Sequence, residues 1–189
     1  SSEFLGSHIY SILGIPVHET FLGKRGHHIV VICKDFRKPD ERLQEFKEIK
    51  TTSEAGVIVD DPHVTDGMGT NLNDILKIIE NHRIFRDIRE KMMERFWNMF
   101  IVDALISNYD RNNGNWGILK DSRGNRRIAP VYDNGNSFFD KWNDRKFERR
   151  EGKDDTEKVS DFIEKPGIYT NDDGNRINPY RLILGMEYD

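Results

Sequence analysis

One stretch of the sequence gathers most of the side chains that could do chemistry. Residues 103–136 read DALISNYDRNNGNWGILKDSRGNRRIAPVYDNGN, with seven asparagines between 107 and 136. Inside it Asp110 and Asn115 stand five residues apart, and Asp133 follows Asp110 by 23. All three are hard oxygen donors. Magnesium takes one or two protein carboxylates and fills the rest of its shell with phosphate oxygens and water. A phosphoryl-transfer site needs such a set: one Asp to accept or orient the acceptor hydroxyl, and an Asn and an Asp to hold metal against a nucleotide. Taken singly, each is also an ordinary turn residue, because Asn and Asp tolerate unusual backbone angles and bond their own backbone. A metal-dependent hydrolase could use the same three, although two-metal hydrolytic sites usually gather more carboxylates or histidines.

The surrounding pattern says how the three would be positioned. Over 84–107, Phe85, Ile88, Met92, Phe96, Met99, Phe100 and Leu105 recur at helical spacing, and Met93, Trp97, Ile101 and Ala104 widen the apolar face. So wide a face predicts a central helix covered by neighbours, with its Met and aromatic residues packing the core. The polar loop follows this helix at once, and sites tend to sit on loops held by rigid elements. Strands at 116–119 and 127–132, joined by a turn at 121–125, form a hairpin that returns Asp133 to Asn115. Trp116 is expected to anchor the core. Arg111 either bonds the loop backbone or steadies a phosphate.

Upstream, 3–13 reads as a helix stopped by Gly14 and Pro16. Two β-type runs follow, 18–23 and 28–36, with Gly23 to Gly26 as the turn. Residues 40–50 read as a charged surface helix, 51–70 as a long connection, and 71–81 as an amphipathic helix capped by Asn71. Beyond Phe139 the chain turns charged and irregular, with short helices expected at 157–164 and 178–185. The segment from Lys141 to Lys153, rich in Lys and Arg, is an exposed charged stretch or a substrate-facing, phosphate-binding flap. His27-His28 reads as a solvated turn. Asn171 to Asn175 lacks the spacing of a calcium loop and reads as a turn.

Length and composition bound the rest. A chain of 189 residues suggests one domain, or one with a small appendage. Charged residues make up 33% and mean hydropathy is −0.73, but 11% aromatics argue against disorder. A net charge of −4 does not make nucleic acid the default partner. One cysteine, Cys33, excludes an internal disulfide framework and any multi-cysteine zinc site, and suits a reducing, cytoplasmic setting. No apolar run reaches the 18 or so residues of a membrane span. The opening Ser1-Ser2-Glu3-Phe4 has neither Met nor a signal pattern and reads as the interior of a longer chain.

The segments D-R-N-N-G-N at 110–115 and A-P-V-Y-D-N-G at 129–135 resemble the catalytic segment of HipA-like serine/threonine kinases, and within them the short bacterial CtkA-type branch. Further similarity lies in S-E-F-L-G-S-H-I at 2–9, L-G-I-P-V-H-E-T-F-L-G at 13–23, V-V-I-C-K-D-F at 30–36 and G-T-N-L-N-D-I-L at 69–76. The resemblance implies an α+β, two-lobed fold related to protein and phosphoinositide kinases. Residues 1–36 would then be a remnant of the N-lobe and hinge, and 37–189 a mostly helical C-lobe. It implies ATP and Mg2+ as cofactors and a protein Ser/Thr as acceptor, with no membrane or direct nucleic-acid partner, and leaves an antitoxin-type partner open. By position, Asp110 resembles the catalytic base, Asn115 and Asp133 the metal ligands, and Cys33, Lys34, Asp35 and Phe36 the hinge that meets the adenine.

Two departures stand out. The family usually carries His two residues after the catalytic Asp, where this chain has Asn112, which can donate a hydrogen bond but not carry a proton at neutral pH. The family also places a phosphate-covering glycine loop and an ATP-binding Lys before the helix that opens this sequence. Lys34 sits in the hinge match and is no substitute for that Lys. Glu3 would be the acid that pairs with it. A non-catalytic nucleotide- or protein-binding module is the alternative reading.

Overall fold

A computed structural model describes residues 1–52, 67–139 and 141–185. The expected long connection at 51–70 therefore lies largely outside the described residues. In chain order the elements are α1 (Ser2–Ile12), β1 (Thr20–Arg25), β2 (His28–Cys33), β3 (Glu41–Glu45), α2 (Phe46–Thr51), α3 (Leu72–Asn81), α4 (Arg89–Ile106), β4 (Gly117–Asp121), β5 (Arg126–Ile128), α5 (Asp144–Glu151), α6 (Asp155–Ile163) and α7 (Pro179–Gly185).

The core gathers on α4. Met92, Phe96, Met99, Phe100, Val102 and Ile106 are buried against Ile75, Ile78 and Ile79 of α3, Tyr10 of α1 and Tyr169. Two residues expected on the apolar face, Ile101 and Leu105, instead point outward. The helix also begins later than its pattern suggests. His82 Nδ1 accepts from Ile84 N–H and starts a separate 3-10 turn at Arg83–Phe85, so the helical face is interrupted before Arg89. Asn71 caps α3 by accepting from Asp74 N–H.

The expected surface helix at 40–50 is half strand. β3 pairs antiparallel with β4, Leu43 opposite Leu119, and β4 pairs with β5. Pairing with β4 overrides the helix propensity of a charged run, since strand preference follows neighbours more than residue type. Helix α2 starts only at Phe46, and it is not a surface helix: Phe46, Ile49 and Lys50 are buried. Phe46 stacks on Trp116 with centroids 4.0 Å apart, and Phe96 approaches the same indole at 5.5 Å. Gly117 is required here, since a Cβ would meet the Gln44 carbonyl oxygen at 2.2 Å.

The β1–β2 hairpin turns later than expected, at the last of the four residues that the sequence assigned to the turn. Gly23 pairs with Val30 inside the ladder, and the turn is Gly26-His27, with Gly26 at φ +62°. Both His27 and His28 are exposed. β2 ends at Cys33 rather than at 36, and β5 ends at Ile128, two residues before Pro130, which has no N–H for a ladder. Val131 instead forms a parallel bridge to Val17 and accepts from His18 N–H at 2.9 Å. That bridge fastens the run before Asp133 to the segment after α1. Downstream, the stretch expected to be irregular contains α5, capped by the Asn143 side chain, while the short helices expected at 157–164 and 178–185 form as α6, closed by a capping box between Asp154 and Glu157, and α7. Asn171 to Asn175 is a turn in which Asn171 Oδ1 accepts from the N–H groups of Asp173 and Asn175. Among the described residues no helix is long and apolar enough to cross a membrane.

The Phe46–Trp116 stack joins β3 and α2 to the strand that carries the polar loop. Phe46→Ala should lower the unfolding free energy by about 3–5 kcal/mol, read as a shifted urea midpoint at unchanged slope. A loss below about 1 kcal/mol would show that the stack does not hold these elements together.

Candidate active site

The polar loop starts where α4 ends. Ser107 takes a left-handed conformation (φ +56°) and turns the chain off the helix. Asn108 then ties the loop back: its N–H bonds the Asp103 carbonyl at 2.8 Å, and its side-chain amide donates to Asp103 Oδ1 at 3.0 Å. Asp103 is a buried carboxylate in the last turn of an otherwise apolar helix face. Its partner is Arg111, whose residue surface is 0% exposed. Arg111 Nε donates to Asp103 Oδ2 at 2.8 Å and Nη2 to Asp103 Oδ1 at 3.2 Å. Tyr10 adds a hydroxyl to Asp103 Oδ1 at 2.8 Å. Burial alone would pull the guanidinium down, but the adjacent Asp103 charge more than offsets this and holds Arg111 above its ordinary value.

The remaining Arg111 donors fasten two distant stretches. Nη1 donates to the carbonyls of Asn115, at 3.1 Å, and Tyr132, and Nη2 donates to Asn134 Oδ1 at 2.6 Å. Tyr132 and Asn134 flank Asp133, so one guanidinium clamps the 110–115 loop to the 132–134 segment. Tyr132 hydroxyl reinforces the join by donating to the Gly114 carbonyl at 3.2 Å. Of the two roles open to Arg111 in the sequence, it takes the backbone one.

The clamp ties the loop that carries Asp110 and Asn115 to the segment that carries Asp133, and the Asp110 and Asp133 carboxylates interact electrostatically. Asp110 Oδ1 accepts from Asn112 Nδ2 at 3.2 Å and Oδ2 from Asn136 Nδ2 at 2.8 Å. Asn115 Nδ2 donates to the Asp110 carbonyl at 2.7 Å, which leaves its Oδ1 outside the loop's own hydrogen bonds. Asp133 is exposed and sits at φ +57°, a left-handed conformation that a non-glycine residue adopts at a cost. Burial of the carboxyl's surroundings, then the Glu3 carboxylate, then Asp110 push its pKa up, with Arg111 and His18 pulling the other way. Like charges crowded so closely are what a divalent cation would relieve. The residues present therefore fit a magnesium ion: an amide oxygen, a carboxylate, and a local excess of negative charge. Among the described residues no three His, Cys, Asp or Glu side chains cluster as metal ligands, so the donor set depends on Asn115.

Helix α1 is docked onto the segment that follows Asp133. Gly6 lets it approach Asn134, since a Cβ there would lie 2.8 Å from Asn134 Cβ. Asn134 Nδ2 donates to Ser7 Oγ at 3.0 Å, and Ser7 Oγ lies 3.1 Å from buried His18 Nε2. His18 Nε2 in turn contacts Glu3 Oε1 at 2.6 Å. Glu3 is thus held beside Asp133-Asn134-Gly135 by a network that sequence reasoning did not assemble. Asn136, Asn134 and His18 were likewise not singled out; a carboxylate on an apolar helix face, Asp103, was the signal available for the clamp.

The 33–36 segment lies near Glu3, Asp133 and Tyr132. Cys33 is exposed, and its thiol is pushed up by burial and by the carboxylates of Glu3 and Asp133. Phe36 stacks on Tyr132 at 5.4 Å. Lys34 N–H is committed to the Glu19 carbonyl and Phe36 C=O to Arg127, while Asp35 has no backbone partner among the described residues. Lys34 Nζ pairs with Glu19, away from the three oxygen donors.

Comparison with known proteins bears on the fold and the family. No family model matches the chain. It is 39% identical over 140 residues to the serine/threonine-protein kinase CtkA of Helicobacter pylori strain J99, across 73% of this chain and 40% of that protein. The crystal structure of a Helicobacter pylori proinflammatory kinase CtkA superposes with a TM-score of 0.85 and 31% identity, over 98% of this chain and 64% of the other. This chain is a HipA-like kinase homologue of the CtkA type. It has the α+β kinase-like architecture, and it spans less than two thirds of either CtkA chain that it matches. HipA of Shewanella oneidensis MR-1, solved with HipB and operator DNA, shares the fold at a TM-score of 0.54 and 13% identity, over 94% of this chain and 39% of that one.

Two outcomes test this kinase-like cleft. Arg111→Met strands a buried Asp103 carboxylate and should cost about 3–5 kcal/mol, while Arg111→Met with Asp103→Leu should recover most of that loss; equal losses in urea unfolding would contradict the clamp. Asp133 has a folded-state pKa above its unfolded value of about 3.9. Its ionised form therefore costs stability above the folded value and nothing below the unfolded one. Asp133→Asn should raise Tm at pH 7, and the gain should shrink as pH falls toward about 3. Asn also tolerates left-handed backbone, but that benefit does not vary with pH, so a pH-independent gain would contradict the electrostatic account.

Proposed function

We propose that this chain transfers the γ-phosphoryl group of ATP, with Mg2+, to a serine or threonine of a protein substrate. The observation that carries the reading is the Arg111 clamp, which sets the Asp110–Asn115 loop against the Asp133 segment. Asp110 faces the acceptor and takes or orients its hydroxyl proton. The Asn112 and Asn136 amides fix the Asp110 carboxylate from both oxygens, so Asn112 orients it without carrying a proton. Asn115 Oδ1 and Asp133 would hold the magnesium ion, which neutralises phosphate charge when bound. The 33–36 segment meets the adenine edge; among the described residues the Asp35 N–H and C=O, the Lys34 C=O and the Phe36 N–H have no hydrogen bond within the chain to give up. Glu3, on α1, is placed to pair with an ATP-binding Lys from a small lobe of which 1–36 is part, with 37–189 forming the C-lobe.

The similarity to CtkA supports the reading at the level of a kinase. With natural full-length protein and labelled ATP-Mg, Asp110→Asn and Asp133→Asn should each lower transfer to a protein acceptor by at least about 10²-fold. Equal label from wild type and both variants would refute it. A thermal shift with ATP-Mg of about 2.7 kcal/mol at 100 times the dissociation constant, in a protein that transfers no label, would leave a nucleotide-binding module instead.

A further inference from the structure

Helix α5 divides its charges by face. At about 100° per residue, Arg145 and Arg149 fall on one side with Lys146 and Arg150 next to them, while Asp144, Glu148 and Glu151 fall opposite. Residues four apart on a helix are surface neighbours, so the four cations form one stripe. Lys165, in the chain after α6, extends it toward the catalytic loop. Its Nζ lies 3.6 Å from the centre of the Tyr109 ring, and Tyr109 directly precedes Asp110. Lys165 also approaches the Phe139 ring at 5.5 Å, and Arg150 approaches the same ring at 5.4 Å and Trp142 at 5.9 Å. The stripe is thus anchored through aromatic rings to Tyr109, beside Asp110, and to Phe139 and Trp142, downstream of the Asp133 segment.

Among the described residues none of Arg145, Lys146, Arg149, Arg150 and Lys165 has a carboxylate within ion-pair distance, whereas Lys153 at the end of the same helix pairs with Asp161. Burial and the neighbouring Lys146 charge together pull Lys165 down, the mark of cations held close without a counter-charge. We propose that this basic stripe, with Lys165, is a subsite for acidic side chains of the peptide that presents its serine or threonine to Asp110. The assignment rests on the kinase reading and adds to it the chemical class of the substrate. A protein ligand suits the stripe better than nucleic acid. The chain as a whole carries −4. The stripe covers only the two turns of α5, and Asp154 and Glu157 of the adjoining α6 segment would repel a long polyanion.

The test is fluorescence anisotropy on the natural full-length chain, with labelled serine peptides flanked by Asp/Glu, by Gln or by Lys. The acidic peptide should bind about tenfold tighter than the Gln peptide, and less so as salt rises. Lys146→Glu with Arg149→Glu, both exposed side chains, should reverse the order in favour of the Lys peptide. Equal binding of all three peptides, or an unchanged order in the variant, would overturn the proposal. So would a mixed-sequence DNA duplex that binds as tightly as the acidic peptide and displaces it. Labelled ATP-Mg added to the same mixtures separates the two claims. Transfer to acidic and Gln peptides alike, with equal binding, keeps the kinase reading and removes the subsite. A binding preference without transfer to any peptide keeps the acidic-peptide surface and removes the kinase reading.

Discussion

A buried positive charge holds this molecule's chemistry in place. Arg111 is enclosed, and a guanidinium enclosed without a partner would be strongly unfavourable. Asp103 supplies the partner from the end of the central helix, and Tyr10 and Asn108 complete the carboxylate's hydrogen bonds. With its charge balanced inside, the fork has donors left over. They reach the carbonyls of Asn115 and Tyr132 and the side chain of Asn134. Lysine could not do this, because a point charge has no rigid fork of donors to spread over two chain segments. The site is therefore built from inside outward: apolar helix, buried ion pair, loop, and then the exposed oxygens.

The same arrangement sets the electrostatics. Asp103 pairs with the Arg111 charge in the interior, and what reaches Asp133 only partly offsets burial and the carboxylates around it. Burial raises the Asp133 carboxyl most, and the Glu3 and Asp110 carboxylates add to it. A folded protein that keeps unrelieved negative charge and a left-handed aspartate at one spot spends stability at a place where a cation would restore it. The basic stripe of α5 lies outside this cleft, on the side of Tyr109. In the proposed reading, the negative charge around Asp133 is the place of a metal–nucleotide and the basic stripe that of an acidic chain.

How much of this was legible in the sequence depends on the range of the interaction that decides each feature. The helix at α3 was readable because its cap and its apolar face lie within ten residues of each other. The hairpin of β4 and β5 was readable from its turn residues, though Pro130 shortened it. β3 was not readable: Glu41-Arg-Leu-Gln-Glu becomes a strand only because β4, more than 70 residues later, lies beside it. α5 was passed over because a charged run without an apolar stripe gives no periodic signal, although Asn143 caps it. At the site, residue types were visible and partners were not. Asp110, Asn115 and Asp133 stood out by chemistry and spacing. His18 did not, since its meaning comes from Glu3, 15 residues earlier, and from Ser7 across a turn of α1.

The central claim is that Asn115 and Asp133, joined through Arg111, hold one divalent ion against a nucleotide. Manganese in place of magnesium, added with a non-hydrolysable ATP analogue, reports this by paramagnetic broadening in NMR spectra. The account predicts that the side-chain amide of Asn115 and the backbone amides of 133–135 broaden first, at substoichiometric manganese. Sharp signals from those residues, with broadening centred elsewhere on the chain, would contradict it.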